Sequence, residues 1–86
     1  MISWLKPTGN AMKTLSSQKY QRFTALLREA REKSGLSQVE VAEKIGRPQS
    51  FVSKYESGER RIDVCEYLDI CKSIGINPIT IIDKLS

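Results

Sequence analysis

Four of the five glycines in this 86-residue chain each follow a stretch in which apolar residues recur every three or four positions. That spacing marks one face of an α-helix, and a glycine directly after such a stretch is typical of a helix end. The glycines are Gly35, Gly46, Gly58 and Gly75. No segment alternates apolar and polar residues for long enough to predict a β-strand. The sequence therefore predicts an all-α protein of five short helices.

The first helix is predicted over residues 17–34, with Ser16 or Ser17 as its N-cap. Residues 1–15 contain a Pro-Thr-Gly-Asn turn cluster and show no helical period. We therefore divide the chain into an N-terminal arm over 1–15 and a single domain over 16–86. Whether the arm is a leader, an expression scar, a disordered segment or an adaptive arm stays open at this point.

Capping motifs mark where the other four helices begin. In a capping box, the side chains of two residues three positions apart each accept a hydrogen bond from the other residue's backbone amide. Proline is favoured at the first position of a helix, where its missing N–H is not needed. The motifs are Ser37 with Glu40, Pro48, Asp63 with Glu66, and Asn77 with Pro78. They predict a second helix that stops at Gly46, a third that runs to about Ser57, a fourth that stops at Gly75, and a short fifth.

The sequence offers few residues that could carry catalysis. It contains no histidine, which is the commonest general base and metal ligand. It also lacks a glycine-rich phosphate loop, a nucleophile elbow and a pair of carboxylates in an apolar setting. Cys65 and Cys71 lie about 240° apart around one predicted helix, so they cannot pair within it, and we interpret both as small buried hydrophobic residues. We expect no enzyme, no cofactor and no metal site.

The composition is that of a soluble globular domain, with 40% hydrophobic and 28% charged residues. The longest apolar run is only a few residues, far short of the ~20 that a membrane span requires. Residues 1–15 contain no continuous apolar region, so no signal peptide is predicted. We expect a cytoplasmic protein with no membrane contact.

Positive charge is concentrated in the N-terminal two-thirds of the chain. The net charge is +4, but residues 1–61 carry 12 Lys and Arg against six Asp and Glu, whereas residues 62–86 carry two against four. Such an uneven distribution favours a protein that turns one face towards a polyanion and keeps another face away from it. Charge alone leaves nucleic acid as one option among several.

The second and third predicted helices carry the main functional prediction. Only Gly46 and Arg47 connect them, so their axes must cross steeply, and the small Ala42 permits the close approach of the two backbones. The outward side of the third helix then carries four polar residues, Gln49, Ser50, Ser53 and Lys54. This is the geometry of a helix-turn-helix, whose second helix lies in the major groove of DNA.

A long series of motifs follows a known pattern without a gap. The matching positions are Leu27, Arg31, Gly35-Leu36-Ser37-Gln38, Val41-Ala42, Ile45-Gly46, Val52-Ser53, Tyr55-Glu56-Ser57-Gly58 and Ile74-Gly75-Ile76-Asn77-Pro78. Over about residues 20–83, the chain resembles the Cro/phage-repressor-like helix-turn-helix family, also called the XRE family. The resemblance implies a compact five-helix, lambda-repressor-like domain, bacterial or phage-encoded, that binds double-stranded DNA as a homodimer.

The resemblance also implies roles for polar residues of the second and third helices. Gln38 is similar to the family's glutamine that holds a backbone phosphate and braces the third helix. Gln49 can read N6 and N7 of an adenine with its amide. Ser50, Ser53 and Lys54 lie on the same side, where Lys54 addresses either a guanine or a phosphate. The alternative interpretation for Gln38 and Lys54 is a solvated polar residue without a contact.

Three arginines flank the third helix in loops that the family turns towards the DNA backbone. We therefore predict phosphate contacts for Arg47, Arg60 and Arg61. Phe51 departs from the smaller polar residue usual in the family. Facing outward it would contact a thymine methyl, and facing inward it would pack on the first helix; we favour the outward orientation.

Two further expectations concern packing and assembly. In the family, an arginine at the position of Arg31 pairs with a glutamate at the position of Glu56, which ties the first helix to the third. The last helix has more isoleucines than one side needs to cap a small core, and such an apolar remainder indicates an interface. The interface residues are predicted to be Ile76, Ile79, Ile82 and Leu85. We expect a homodimer that forms through them.

The leading interpretation is a sequence-specific DNA-binding transcriptional regulator, a dimeric repressor that reads the major groove with residues 48–57. One alternative is an antitoxin that neutralises a partner toxin and autoregulates its operon. A second alternative is a protein-interaction adaptor of the same fold. An adaptor should lack outward polar and basic residues, yet this chain has Gln38, Gln49, Lys54 and Arg61.

Overall fold

The structure is a computed structural model that describes residues 9–86, with side chains described from residue 18 onward. Five helices follow one another along this part of the chain, and it contains no strand. They are α1 (Gly9–Lys33), α2 (Gln38–Ile45), α3 (Gln49–Ser57), α4 (Val64–Ile74) and α5 (Pro78–Leu85). The predicted all-α, five-helix fold is confirmed. Within the described range, none of these helices combines the length and the hydropathy needed to cross a membrane.

Both predicted capping boxes are present. At the start of α2, the Ser37 hydroxyl accepts a hydrogen bond from the Glu40 amide at 3.1 Å, and the Glu40 carboxylate accepts one from the Ser37 amide at 2.8 Å. At the start of α4, Asp63 and Glu66 exchange the same pair of hydrogen bonds, at 2.7 and 3.0 Å. The Asn77 side chain caps α5. These motifs involve residues only two or three positions apart, which is why the sequence alone reveals them.

The predicted start of α1 is wrong. The helix begins at Gly9 and runs through Ser16 and Ser17, which were expected to cap it. The intervening residues include the strong helix formers alanine, methionine, lysine and leucine and contain no proline, so a serine there does not stop the helix. Residues 1–8 lie outside the described residues, and the division into an arm and a domain stays a prediction.

The turn between α2 and α3 brings these two helices together. Gly46 adopts a left-handed conformation with φ 71°, which a residue with a side chain disfavours, and its amide donates back to the end of α2. Pro48 is extended, with φ −64° and ψ 153°, and is the N-cap of α3 rather than its first helical residue as predicted. The difference is one position, because proline's fixed φ and missing N–H suit both places.

Every helix contributes to the core. Its buried members are Leu27 from α1, Val41 and Ala42 from α2, Phe51, Val52 and Tyr55 from α3, Tyr67, Ile70, Cys71 and Ile74 from α4, and Ile81 from α5. Cys71 is buried as expected, but Cys65 is exposed, so its interpretation as a buried hydrophobic residue is wrong. The angular separation of the two cysteines around α4 explains this difference, since the face that packs inward at Cys71 leaves Cys65 outside.

A buried ion pair ties α1 to α3. The Arg31 guanidinium donates from Nε and Nη2 to the two carboxylate oxygens of Glu56, at 2.7 and 3.1 Å. A third hydrogen bond, from Nη1 to the Leu36 carbonyl at 2.8 Å, holds the segment between α1 and α2. The Arg31 side chain is only 10% exposed and that of Glu56 only 3%. The hydrogen bonds to Glu56 raise the pKa of Arg31 above its usual value. The expected pairing is confirmed.

Replacing Arg31 tests the structural importance of this pair. Arg31→Ala leaves the Glu56 carboxylate buried without its partner, and we expect the free energy of unfolding to fall by about 3–5 kcal/mol. Arg28→Ala is the matched control, because Arg28 pairs with Glu32 at 3.3 Å on the exposed surface, where the loss is ~0–1 kcal/mol. Urea denaturation followed by circular dichroism measures both. Equal losses for the two variants would contradict the structural role of Arg31.

Candidate nucleic-acid interface

The outer side of α3 carries the four polar residues that the sequence predicts there. Gln49, Ser50 and Lys54 are exposed and Ser53 is half-buried. The opposite side of α3 is buried in the core. The helix therefore has one face for packing and one polar face that is open to a partner, as predicted.

A chain of hydrogen bonds links this polar face to the buried ion pair. The Gln49 amide donates from Nε2 to Oε1 of Gln38 at 3.2 Å. The Gln38 amide in turn donates from Nε2 to Oε1 of Glu56 at 3.0 Å, and Glu56 is held by Arg31. Gln38 thus links the first residue of α3 to the buried ion pair, and its predicted contact with a backbone phosphate stays a prediction. The side chain of Gln49, the first residue of α3, is therefore held by hydrogen bonds that continue through Gln38 to the buried ion pair.

The outward orientation favoured for Phe51 is wrong. Its ring is buried, with only 7% exposed, and packs edge-on against Tyr55 at a centroid distance of 5.5 Å. It also borders a small cavity between α2 and α4 that Ile45 helps to line. Phe51 faces this way because it precedes Val52 on the core side of α3, one turn before Tyr55. The ring of Phe51 therefore faces inward, against Tyr55 and the cavity that Ile45 and Glu66 help to line.

Arg47 and Arg60 meet at one carboxylate. Their Nη2 atoms lie 3.0 and 2.9 Å from the same oxygen, Oε2 of Glu66. Both guanidinium carbons lie over the Phe51 ring, 4.5 and 4.9 Å from its centroid. The hydrogen bond from the Asp63 amide, together with the two arginines, lowers the pKa of Glu66 below its usual value. The spacing of Glu66 from Asp63 predicts only the capping box, so the sequence does not reveal that Glu66 also holds two arginines.

Arg61 lies over a different aromatic ring. Its guanidinium carbon is 4.6 Å from the centroid of Tyr20 on α1. The Tyr20 hydroxyl donates to the Arg60 carbonyl at 2.9 Å and accepts from the Ile62 amide at 3.1 Å, so it holds the backbone of the loop between α3 and α4. Burial of the side chain raises the pKa of Tyr20. The sequence predicts Tyr20 only as part of an apolar helical face. Its hydrogen bonds to the α3–α4 loop become visible only in the structure.

We use the name α3 surface for the predicted polar and basic residues on the outer side of α3, at the starts of α2 and α3 and in the two loops beside α3. It consists of the predicted residues Gln38, Arg47, Gln49, Ser50, Ser53, Lys54, Arg60 and Arg61. The loops at the two ends of α3 supply its arginines, and the first residues of α2 and α3 supply its glutamines. Within the described residues, no cluster of His, Cys, Asp and Glu side chains could hold a metal ion. The α3 surface offers positive charge and hydrogen-bonding side chains, and the contacts of its residues with DNA stay a prediction.

Comparison with known proteins identifies the family. A family model for the helix-turn-helix matches residues 27–81. An XRE-family like protein from Pseudomonas syringae pv. tomato str. DC3000 has a similar structure, with 49% identity, a TM-score of 0.84, and coverage of 90% of this chain and 94% of that one. The chain belongs to the XRE family of helix-turn-helix proteins.

Two further solved structures are similar to this XRE-family chain. The restriction-modification controller protein C.AhdI from Aeromonas hydrophila is 32% identical, with a TM-score of 0.66 and coverage of 70% of this chain and 91% of that one. The clp gene regulator ClgR from C. glutamicum shares the fold at 19% identity, with a TM-score of 0.73 and coverage of 78% and 87%. No curated protein gives a significant match. The family assignment makes the chain a DNA-binding transcriptional regulator.

Removing one hydroxyl group tests how the XRE-family chain holds its α3–α4 loop. In Tyr20→Phe the ring under Arg61 remains, but the Ile62 amide loses its acceptor. We expect hydrogen exchange at the Ile62 amide to accelerate by up to about tenfold, the equivalent of one hydrogen bond. Tyr67→Phe is the control, because the Tyr67 hydroxyl donates to the Pro78 carbonyl, outside this loop. Unchanged exchange at Ile62 in Tyr20→Phe would contradict this role.

Proposed function

We propose that the chain is a repressor that binds a specific double-stranded DNA site as a homodimer, with α3 in the major groove. The observation that carries the proposal is the exposed amide of Gln49, anchored through Gln38 to the buried ion pair. An amide held in place at the start of a recognition helix can form two hydrogen bonds to an adenine edge. Repression then requires only that the bound dimer overlaps a promoter.

The arginines of the α3 surface supply the backbone contacts in this proposal. Arg61 extends from the α3–α4 loop, and Arg47 and Arg60 are 43% exposed, which leaves guanidinium N–H groups available for phosphate oxygens. Arginine suits this function because its planar fork of donors matches the geometry of a phosphate. Phosphate contacts fix the register of the protein on the duplex, whereas contacts of α3 with base edges determine which sequence is bound.

An apolar surface on α4 and α5 supports the homodimer. Ile79 is 63% exposed and Ile82 is also exposed, whereas Ile81 between them points into the core. Val64 and Leu68 are exposed on α4, and the Tyr67–Pro78 hydrogen bond brings this part of α4 next to the start of α5. The exposed apolar residues are those a second copy would cover. A twofold dimer would place its two α3 helices ~34 Å apart, the separation of successive major grooves.

Two alanine variants separate base readout from backbone anchoring. Gln49→Ala should weaken binding to the preferred site by about 1–3 kcal/mol and flatten the preference at one base pair. Arg61→Ala should weaken binding to all sequences alike and reduce the salt dependence by about one unit of log–log slope. Affinities are measured on matched and mismatched duplexes at several salt concentrations. If Gln49→Ala leaves the base preference intact, or Arg61→Ala alters it, these assignments are wrong.

A charge placed in the apolar surface tests the dimer. Ile79→Glu should produce a monomer by analytical ultracentrifugation and bind its site much more weakly, because burying a charged carboxylate in an apolar interface is unfavourable. Val39→Glu is the matched control, since Val39 is an exposed apolar residue on α2 and its replacement should leave the dimer intact. An Ile79→Glu variant that remains dimeric would place the interface elsewhere.

A further inference from the structure

We propose that Glu66 is a positioning residue for DNA binding, which holds Arg47 and Arg60 as a single two-guanidinium unit for a phosphodiester. This inference rests on the proposed function and explains how two arginines of the α3 surface are positioned. Glu66 itself does not contact DNA in this account. It acts through the two arginines and through the Phe51 ring beneath them.

The first support is the convergence of distant chain segments. Arg47 lies in the turn before α3 and Arg60 in the loop after it, yet both donate to Oε2 of Glu66, at 3.0 and 2.9 Å. Two exposed arginine side chains would otherwise repel each other and sample many rotamers. The shared carboxylate oxygen reduces the repulsion and brings both guanidinium groups to one place.

The second support is that the carboxylate itself is fixed. Oε1 of Glu66 accepts a hydrogen bond from the Asp63 amide at 3.0 Å, as part of the capping box of α4. Glu66 is half-buried, and its backbone is inside a helix that packs on the core. The arginines are therefore anchored to a rigid part of the fold and not to another mobile side chain.

The third support is Phe51, which explains why a large aromatic residue occupies this position. Arg47 and Arg60 place their guanidinium carbons 4.5 and 4.9 Å from the ring centroid. An arginine over an aromatic ring gains a favourable cation–π interaction, and the ring restricts how its guanidinium can turn. Each guanidinium carries five N–H donors, of which Glu66 and the ring leave several for a phosphate.

The proposal differs from a purely electrostatic account in its expected result. If Glu66 only contributed a negative charge near DNA, neutralising it would strengthen binding to every duplex in the same proportion. If it positions the arginines, neutralising it loosens a contact that is made only in the correct register. The ratio of specific to non-specific affinity then falls, because pre-organisation benefits the specific complex most.

The experiment compares two charge-neutral substitutions in the full chain. Glu66→Gln keeps an N3 side chain that can complete the capping box but loses the ionic hold on the arginines. Glu59→Gln is the matched control, because Glu59 lies in the same loop as Arg60 and its carboxylate accepts from the Ser57 hydroxyl. Affinities are measured on a duplex selected from random DNA and on a scrambled duplex of the same length.

We expect Glu66→Gln to reduce the specific-to-non-specific ratio about three- to tenfold, the range of one ordinary hydrogen bond, and Glu59→Gln to leave the ratio unchanged. In a protein that also carries Arg47→Ala and Arg60→Ala, Glu66→Gln should have no further effect on the ratio. Arg60→Lys preserves the charge but not the planar fork, so it should lower the ratio as well. If Glu66→Gln and Glu59→Gln change the ratio equally, or Arg60→Lys leaves it unchanged, the proposal is overturned.

A measurement without DNA separates this proposal from the proposed function. Side-chain NMR should show the Arg47 and Arg60 Nε–H groups ordered in the wild type and mobile in Glu66→Gln. Mobile groups in the wild type would overturn the positioning function even if DNA binds. Ordered groups in a wild type that binds no DNA would overturn the proposed function, and the contribution of Glu66 to it.

Discussion

The buried pair of Arg31 and Glu56 is the interaction on which the α3 surface depends. A charged pair in the interior must be well matched in geometry, because each ion has lost its water. Here both carboxylate oxygens are used by Arg31, and one of them also accepts from Gln38. The pair therefore does more than join α1 to α3. It provides the fixed point from which Gln38, and through it Gln49, is oriented.

Two aromatic rings hold exposed side chains of the loops around α3 in place, as the buried ion pair holds Gln38. Phe51 and Tyr20 each lie beneath arginines of the loops around α3, and each belongs to a helix that packs on the core. Loop residues have few neighbours to hold them, so contacts with rigid elements determine where their charges lie. These contacts restrict the arginines, while Arg47 and Arg60 keep part of their side chains exposed.

The local features of the fold could be predicted from the sequence, whereas contacts between distant segments could not. The capping boxes of Ser37 and Asp63 are formed within one turn of helix, so residue spacing alone reveals them. The polar face of α3 follows from helical periodicity in the same way. By contrast, the meeting of Arg47 and Arg60 at Glu66 depends on how α2, α3 and α4 pack. Nothing in the spacing of these three residues indicates it. The inward orientation of Phe51 is a local feature as well, because Phe51 precedes the buried Val52 and lies one helical turn before the buried Tyr55.

The central proposal is that the α3 surface binds a specific DNA site and that its basic residues neutralise phosphates of that site. The most direct test is to select a duplex from random DNA and measure its affinity for the full chain across salt concentrations. Contacts with about five phosphates per protomer predict a log–log slope on the order of −5 to −9 for a dimer, because each neutralised phosphate releases counterions. A slope near zero on the best duplex would contradict the account, as would a selection that yields no preferred sequence.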